Sequence, residues 1–184
     1  MLTQAVYVGG SPLTSEELTM KFVMGALVVI VMLGVGVSSA QAQAVTFEGC
    51  FVQTHDGPVP VASVRNDNLQ DVAQATYQQL PNRTVIPIIV YNPRVLQWLQ
   101  PATRIFFYAH ECAHHVLNHM GRGFPLGHEQ EADCWSIVAL VSNGILGDDD
   151  ITAVQRDLAK AGKGDWTHLP GPQRAINLRR CFNR

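Results

Sequence analysis

Five consecutive residues, His110-Glu111-Cys112-Ala113-His114, spell the pattern H-E-x-x-H. On a helix, residues four apart stand almost above one another, so His110 and His114 can direct two imidazoles at one point. Two such nitrogens can hold a zinc ion. Glu111 lies about 100° further round the helix, within reach of a water at that ion as its general base. The preceding Pro101-Ala102-Thr103-Arg104-Ile105-Phe106-Phe107-Tyr108-Ala109 supplies the context: proline in the first turn of a helix, then a buried apolar run.

A catalytic zinc takes three protein ligands and keeps one position open. The segment Glu129-Gln130-Glu131-Ala132-Asp133 supplies the third. Glu129 and Asp133 share a helix face, which suits Glu129 as ligand and Asp133 as acceptor for the outer N–H of a ligating histidine. Glu131 points elsewhere and is the weaker candidate. His128 is a rival ligand, but it lacks the partner four residues on that Glu129 has. A structural zinc would ask for four closed ligands, mostly Cys and His, and no spare glutamate.

H-E-x-x-H followed by E-x-x-x-D on a second helix resembles the gluzincin pattern of zinc metallopeptidases, above all the HtpX-type and CAAX-prenyl-protease-type peptidases and their small periplasmic relatives. Those proteins often continue the first motif to a further histidine, as His119 does here, and often read E-x-E-A-D, as Glu129 to Asp133 does. Many carry a later T-H-P-x-x-x-x-R-I stretch. Thr167-His168-Leu169-Pro170-Gly171-Pro172-Gln173-Arg174-Ala175-Ile176 is similar, with Leu169 and Ala175 interposed. The resemblance covers residues 101–178 in pieces. It implies an α+β, zincin-like fold, mostly helical, with a small N-terminal sheet and two zinc-bearing helices. It also implies one zinc per chain and a peptide or protein substrate. His168, in a loop near the zinc, is a candidate donor to the oxyanion of a tetrahedral intermediate.

The elements around these motifs follow from pattern. Val45 to Val64 alternates apolar and polar residues and reads as a short strand pair or an extended arm. Asn66 and Asp67 are caps for a helix over Leu69 to Leu80, with Leu69, Val72, Ala73, Thr76 and Leu80 at helical spacing. Val85 to Tyr91 is a strand, and Pro87 demotes it to an edge or a bulge. Such an edge would receive a substrate backbone by strand addition, or be an ordinary core strand. Asn92-Pro93 starts a short helix. The second zinc helix spans about Gly127 to Gly144, another spans Ile151 to Ala161, and a last one runs from Pro172 to about Phe182.

At 184 residues and 47% apolar content, one domain with a real core is expected. Net charge is −2, with no basic run, which argues against nucleic acid as a partner. Lys21, the apolar run Phe22 to Val37 and the Ala40, Ala42, Ala44 pattern describe a secretory signal peptide. Residues 1–44 are read as that region, with Met20 as the true start, and 45–184 as a single metallopeptidase domain. The protein is then exported, periplasmic or secreted, with no membrane partner after cleavage; the competing reading is a retained N-terminal anchor.

Export and an even count argue that Cys50, Cys112, Cys134 and Cys181 form two disulfides. The preferred pairing is Cys112–Cys134, behind the metal, and Cys50–Cys181, joining the ends of the domain. The other histidines, His55, His115, His119 and His128, are expected at the surface or in hydrogen bonds.

The expected reaction is zinc-dependent peptide hydrolysis, with His110, His114 and Glu129 on the metal and Glu111 as base. The alternatives are a non-catalytic binding or quality-control module, or a latent peptidase with the Val45 to Val64 arm over the zinc.

Overall fold

The structure, a computed structural model, describes residues 49–121, 126–164 and 169–183. The signal region, residues 45–48 and His168 lie outside the described residues. Among those described, the fold is α+β, about half helical, with two small sheets and five α-helices.

Strands β1 (Phe51–Thr54) and β2 (Gly57–Pro60) form an antiparallel hairpin in which Thr54 faces Gly57. Gly57, at φ +113°, closes the two-residue turn in a conformation that side chains rarely adopt. The second sheet holds β3 (Ala62–Arg65), β4 (Ala73–Gln79) and β5 (Val85–Tyr91) in the order β3-β5-β4. Thus the expected strand pair is present in residues 51–60, and β3 continues from it into a separate sheet.

Two expectations fail here. The helix expected over Leu69 to Leu80 is a turn followed by β4. Its apolar residues fit a helical period, yet from Ala73 they also fit a period of two, with Ala73 and Ala75 buried and Gln74 exposed. Pairing along the whole strand, from Ala73↔Tyr91 to Gln79↔Val85, decides between them. Asn66 closes the turn, accepting the Asn68 N–H at 3.0 Å, instead of capping a helix. The second is the edge or bulge expected of β5: the strand is central, which is the core-strand alternative left open beside it. Pro87 is tolerated because it faces Tyr77, between the ladder-bonded pairs, and because β3 begins to pair only at Ile88.

The helices are α1 (Pro93–Leu96), α2 (Pro101–Val116), α3 (Leu126–Ser142), α4 (Asp148–Lys160) and α5 (Gly171–Arg180). Asn92 caps α1 by accepting the Arg94 N–H at 2.9 Å. Helix α2 is buried on two sides. One side joins Phe106 to Ile137, Val154, Leu158 and Leu178, all fully buried among the helices. The other joins Cys112 to Cys50, Val61, Ala73 and Ile89 at the sheets. Helix α5 starts hard against the end of α4: a Cβ on Gly171 would overlap Leu158 O and lie 2.7 Å from Ala161 Cβ.

The disulfides are Cys50–Cys112 and Cys134–Cys181, with Cα separations of 5.8 and 5.1 Å. The preferred pairing is therefore wrong. All four cysteines are paired, but α2 and α3 are each tied outward. Cys112 faces the sheet side of α2, while Cys134 faces the end of α5. A position off the metal face does not imply that two such cysteines face each other. Two disulfides fit an oxidising compartment. Among the described residues no helix is long and apolar enough to cross a membrane.

Candidate metal centre

His110 and His114 lie one turn apart on α2, and Glu129 reaches them from the first turn of α3. All three are buried, and one ligand atom of each lies within 4.8 Å of the others. His110 Nε2 is 3.1 Å from both His114 Nε2 and Glu129 Oε2, and His114 Nε2 is 3.3 Å from Glu129 Oε1. A tetrahedral zinc with bonds of about 2.0–2.1 Å separates its ligand atoms by about 3.3–3.4 Å. The donor set and its spacing therefore fit a zinc-sized ion with three protein ligands. The same spacing is compatible with other first-row ions that take imidazole and carboxylate.

Asp133 stands where its position on the Glu129 face requires. Its Oδ1 is 2.9 Å from His110 Nδ1, the nitrogen turned away from the ligand group. Arg174, from α5, holds the same carboxylate with Nε to Oδ2 at 2.9 Å and Nη2 to Oδ1 at 2.6 Å. Burial would raise the Asp133 carboxyl, but Arg174 and His110 outweigh it and hold its pKa at about 2. Burial likewise opposes a charge on His110, while the Asp133 and Glu129 carboxylates overcome it and raise its pKa to about 10 in the metal-free protein. A metal arriving at His110 therefore displaces a proton.

Glu111 points to the sheet. Its Oε2 accepts the N–H of Ala75 at 2.6 Å. The Asn92 N–H donates to Val72 O, so the ladder bonds of β4 fall on Val72, Gln74, Thr76 and Gln78. Ala73, Ala75 and Tyr77 then turn their backbone groups outward from β5. Among the described residues no strand pairs with this side of β4, and Glu111 sits on it. The edge strand beside the site is β4, from the segment expected to be helical, and not β5. A cleft of about 220 Å³ opens beside His110 and Glu111, walled by Asp71, Val72, Phe107, Gly162, Gly164, Leu169 and Arg174. Among the described residues, none from 49–65 lines it.

The remaining histidines divide. His115 Nε2 donates to Ile88 O at 2.9 Å and fastens α2 to β5. His128, the rival ligand, stacks on His119 with ring centroids 4.4 Å apart, outside the ligand group. His119 is 2% exposed, with Nδ1 3.2 Å from His114 Nδ1 and Nε2 3.3 Å from Glu131 Oε2. Sequence reasoning missed the parts played by Ala75, Arg174 and His119. For Arg174 the available signal was the motif-like stretch around it. For His119 it was Asn118, a residue type suited to the left-handed turn that ends a helix. The chain matches no protein-family model, no curated protein and no solved structure.

Proposed function

We propose that the chain is a zinc-dependent endopeptidase of zincin-like fold, acting on peptide or protein substrates in the cell envelope or outside the cell. The observation that carries this reading is the position of Glu111, next to the ligand His110 in sequence, lining the cleft and held on the side of β4 with which no described strand pairs. Zinc bound by His110, His114 and Glu129 would acidify a water and polarise a carbonyl. Glu111 takes the proton of the attacking water and delivers it to the leaving amine. The Ala75 N–H, 2.6 Å from Oε2, orients that carboxylate. Asp133 and Arg174 keep the His110 ring turned with Nε2 toward the ligand group. The outward backbone groups of Ala73 and Tyr77 offer an extended substrate a strand to pair with.

The Ala75 bond also favours a second reading, a latent or purely binding module whose base is already engaged. One experiment separates them: incubation of oxidised, zinc-loaded protein with a mixed peptide library, beside the Glu111→Gln variant. Cleavage by the wild type alone supports the peptidase. Retention of peptides without cleavage by either, with zinc bound to both, supports the binding module. Equal cleavage by both removes Glu111 from the mechanism.

A further inference from the structure

The second metal histidine has a line of its own behind it. We infer that His119, backed by Glu131, is a positioning residue that fixes the tautomer of His114 with Nε2 bare for a metal. This rests on the metal-centre reading above and extends it to residues outside the ligand set.

His114 turns Nε2 toward the ligand group, 3.1 Å from His110 Nε2 and 3.3 Å from Glu129 Oε1. Its Nδ1 faces the other way, 3.2 Å from His119 Nδ1. Two neutral imidazole nitrogens in contact share one proton, so one donates and the other accepts. A ligating nitrogen carries no proton, so neutral His114 is protonated on Nδ1 and is the donor. His119 Nδ1 then accepts, and the His119 proton resides on Nε2. That atom lies 3.3 Å from Glu131 Oε2, and an ionised carboxylate only accepts. Each proton in the line is thus set by the carboxylate at its end. The opposite tautomer of His119 would set two N–H groups against each other.

The frame around His119 is built to hold this ring. Asn118, at φ +56°, turns the chain back after α2, so that a residue five beyond His114 returns to it. His119 is 2% exposed, and His128 stacks on it with ring planes 4° apart. Helix α3 therefore supports both metal histidines: Asp133 meets His110 directly, and Glu131 meets His114 through His119. Glu131 is not a ligand in this arrangement and does not need to face the metal.

The test is zinc affinity by chelator competition for the wild type, His119→Ala and His119→Asn, together with the tautomers read from long-range proton–nitrogen spectra of the zinc-loaded wild type. Expected are a loss of about 10–100-fold for His119→Ala, as for other residues that orient metal ligands, and recovery of most of it in His119→Asn. There the amide oxygen replaces Nδ1 as acceptor. The spectra should show His114 protonated on Nδ1 and His119 on Nε2. Unchanged affinity in His119→Ala, or a His119 protonated on Nδ1, would overturn the inference. If His119→Ala does not fold, the wild-type spectra decide. A wild type that binds no zinc would instead bring down the metal-centre reading, and this inference with it.

Discussion

Arg174 grips both carboxylate oxygens of Asp133, at 2.9 and 2.6 Å, although 41 residues separate them in sequence. Oδ1 of the same carboxylate lies 2.9 Å from His110 Nδ1. A buried line thus runs from α5 through α3 to a histidine of the candidate ligand group on α2. The planar fork of the guanidinium sets the plane of the carboxylate, and the carboxylate sets the ring.

Removing the cation tests that line. Arg174→Met leaves Asp133 buried without its partner and should cost about 3–5 kcal/mol in urea unfolding of the metal-free protein. Zinc affinity should fall about 10–100-fold. Arg174→Lys should recover only part, since an ammonium cannot fork. The acid side carries the sign. The Asp133 carboxyl is held at about 2 against an ordinary 3.8, so its contribution is present above pH 3.8 and is lost as pH falls toward 2. In Arg174→Met that loss should begin at higher pH.

The disulfides make a separate prediction. Non-reducing peptide mapping should link the peptide of Cys50 to that of Cys112, and that of Cys134 to that of Cys181. Replacing either pair by serines should cost about 2–4 kcal/mol. The first pair should also weaken zinc, because Cys112 lies between His110 and His114 on α2.

Gly171→Ala should be destabilising by about 1–3 kcal/mol, the cost of overpacking. The added methyl would overlap Leu158 O, so α5 must move away from α4. Arg174 moves with it, and a loss of zinc affinity alongside a lowered melting temperature would register that displacement.

Asp157 caps a helix that is not its own. The N-terminal Gln100 of α2 makes no side-chain cap, and Asp157 Oδ2 on α4 accepts both the Gln100 N–H and the Thr103 hydroxyl at 2.8 Å. Asp157→Ala should cost about 1–2 kcal/mol. Burial would raise its carboxyl, yet these bonds and Lys160 lower it. Its stabilisation is therefore present above pH 3.8 and disappears as pH falls below it; stability curves of wild type and Asp157→Ala should converge in acid.

The candidate metal group of His110, His114 and Glu129 was legible because chemistry demands its pattern. Ligands must share a face, and four-residue spacing in His110/His114 and Glu129/Asp133 states that without tertiary information. The helices followed from their periods and stops. β4 was not legible, because residues 69–80 satisfy two periods and the arbiter, β5, is another element. The disulfide pairing failed for a related reason: a helical wheel tells which side Cys112 and Cys134 face, not what packs there. His119 stayed hidden because it lies beyond the helix, and a left-handed Asn118 is what returns it to His114.

Glu111 on Ala75 has a consequence for the behaviour of the protein in concentrated solution. A strand edge whose backbone groups are unpaired among the described residues, with Tyr77 half exposed upon it, invites the same edge of a second molecule into a growing ribbon. The buried Glu111 carboxylate occupies the Ala75 N–H that such a self-pairing strand would need. Glu111→Ala frees that N–H, so preparations of this variant should scatter light at lower concentration than the wild type.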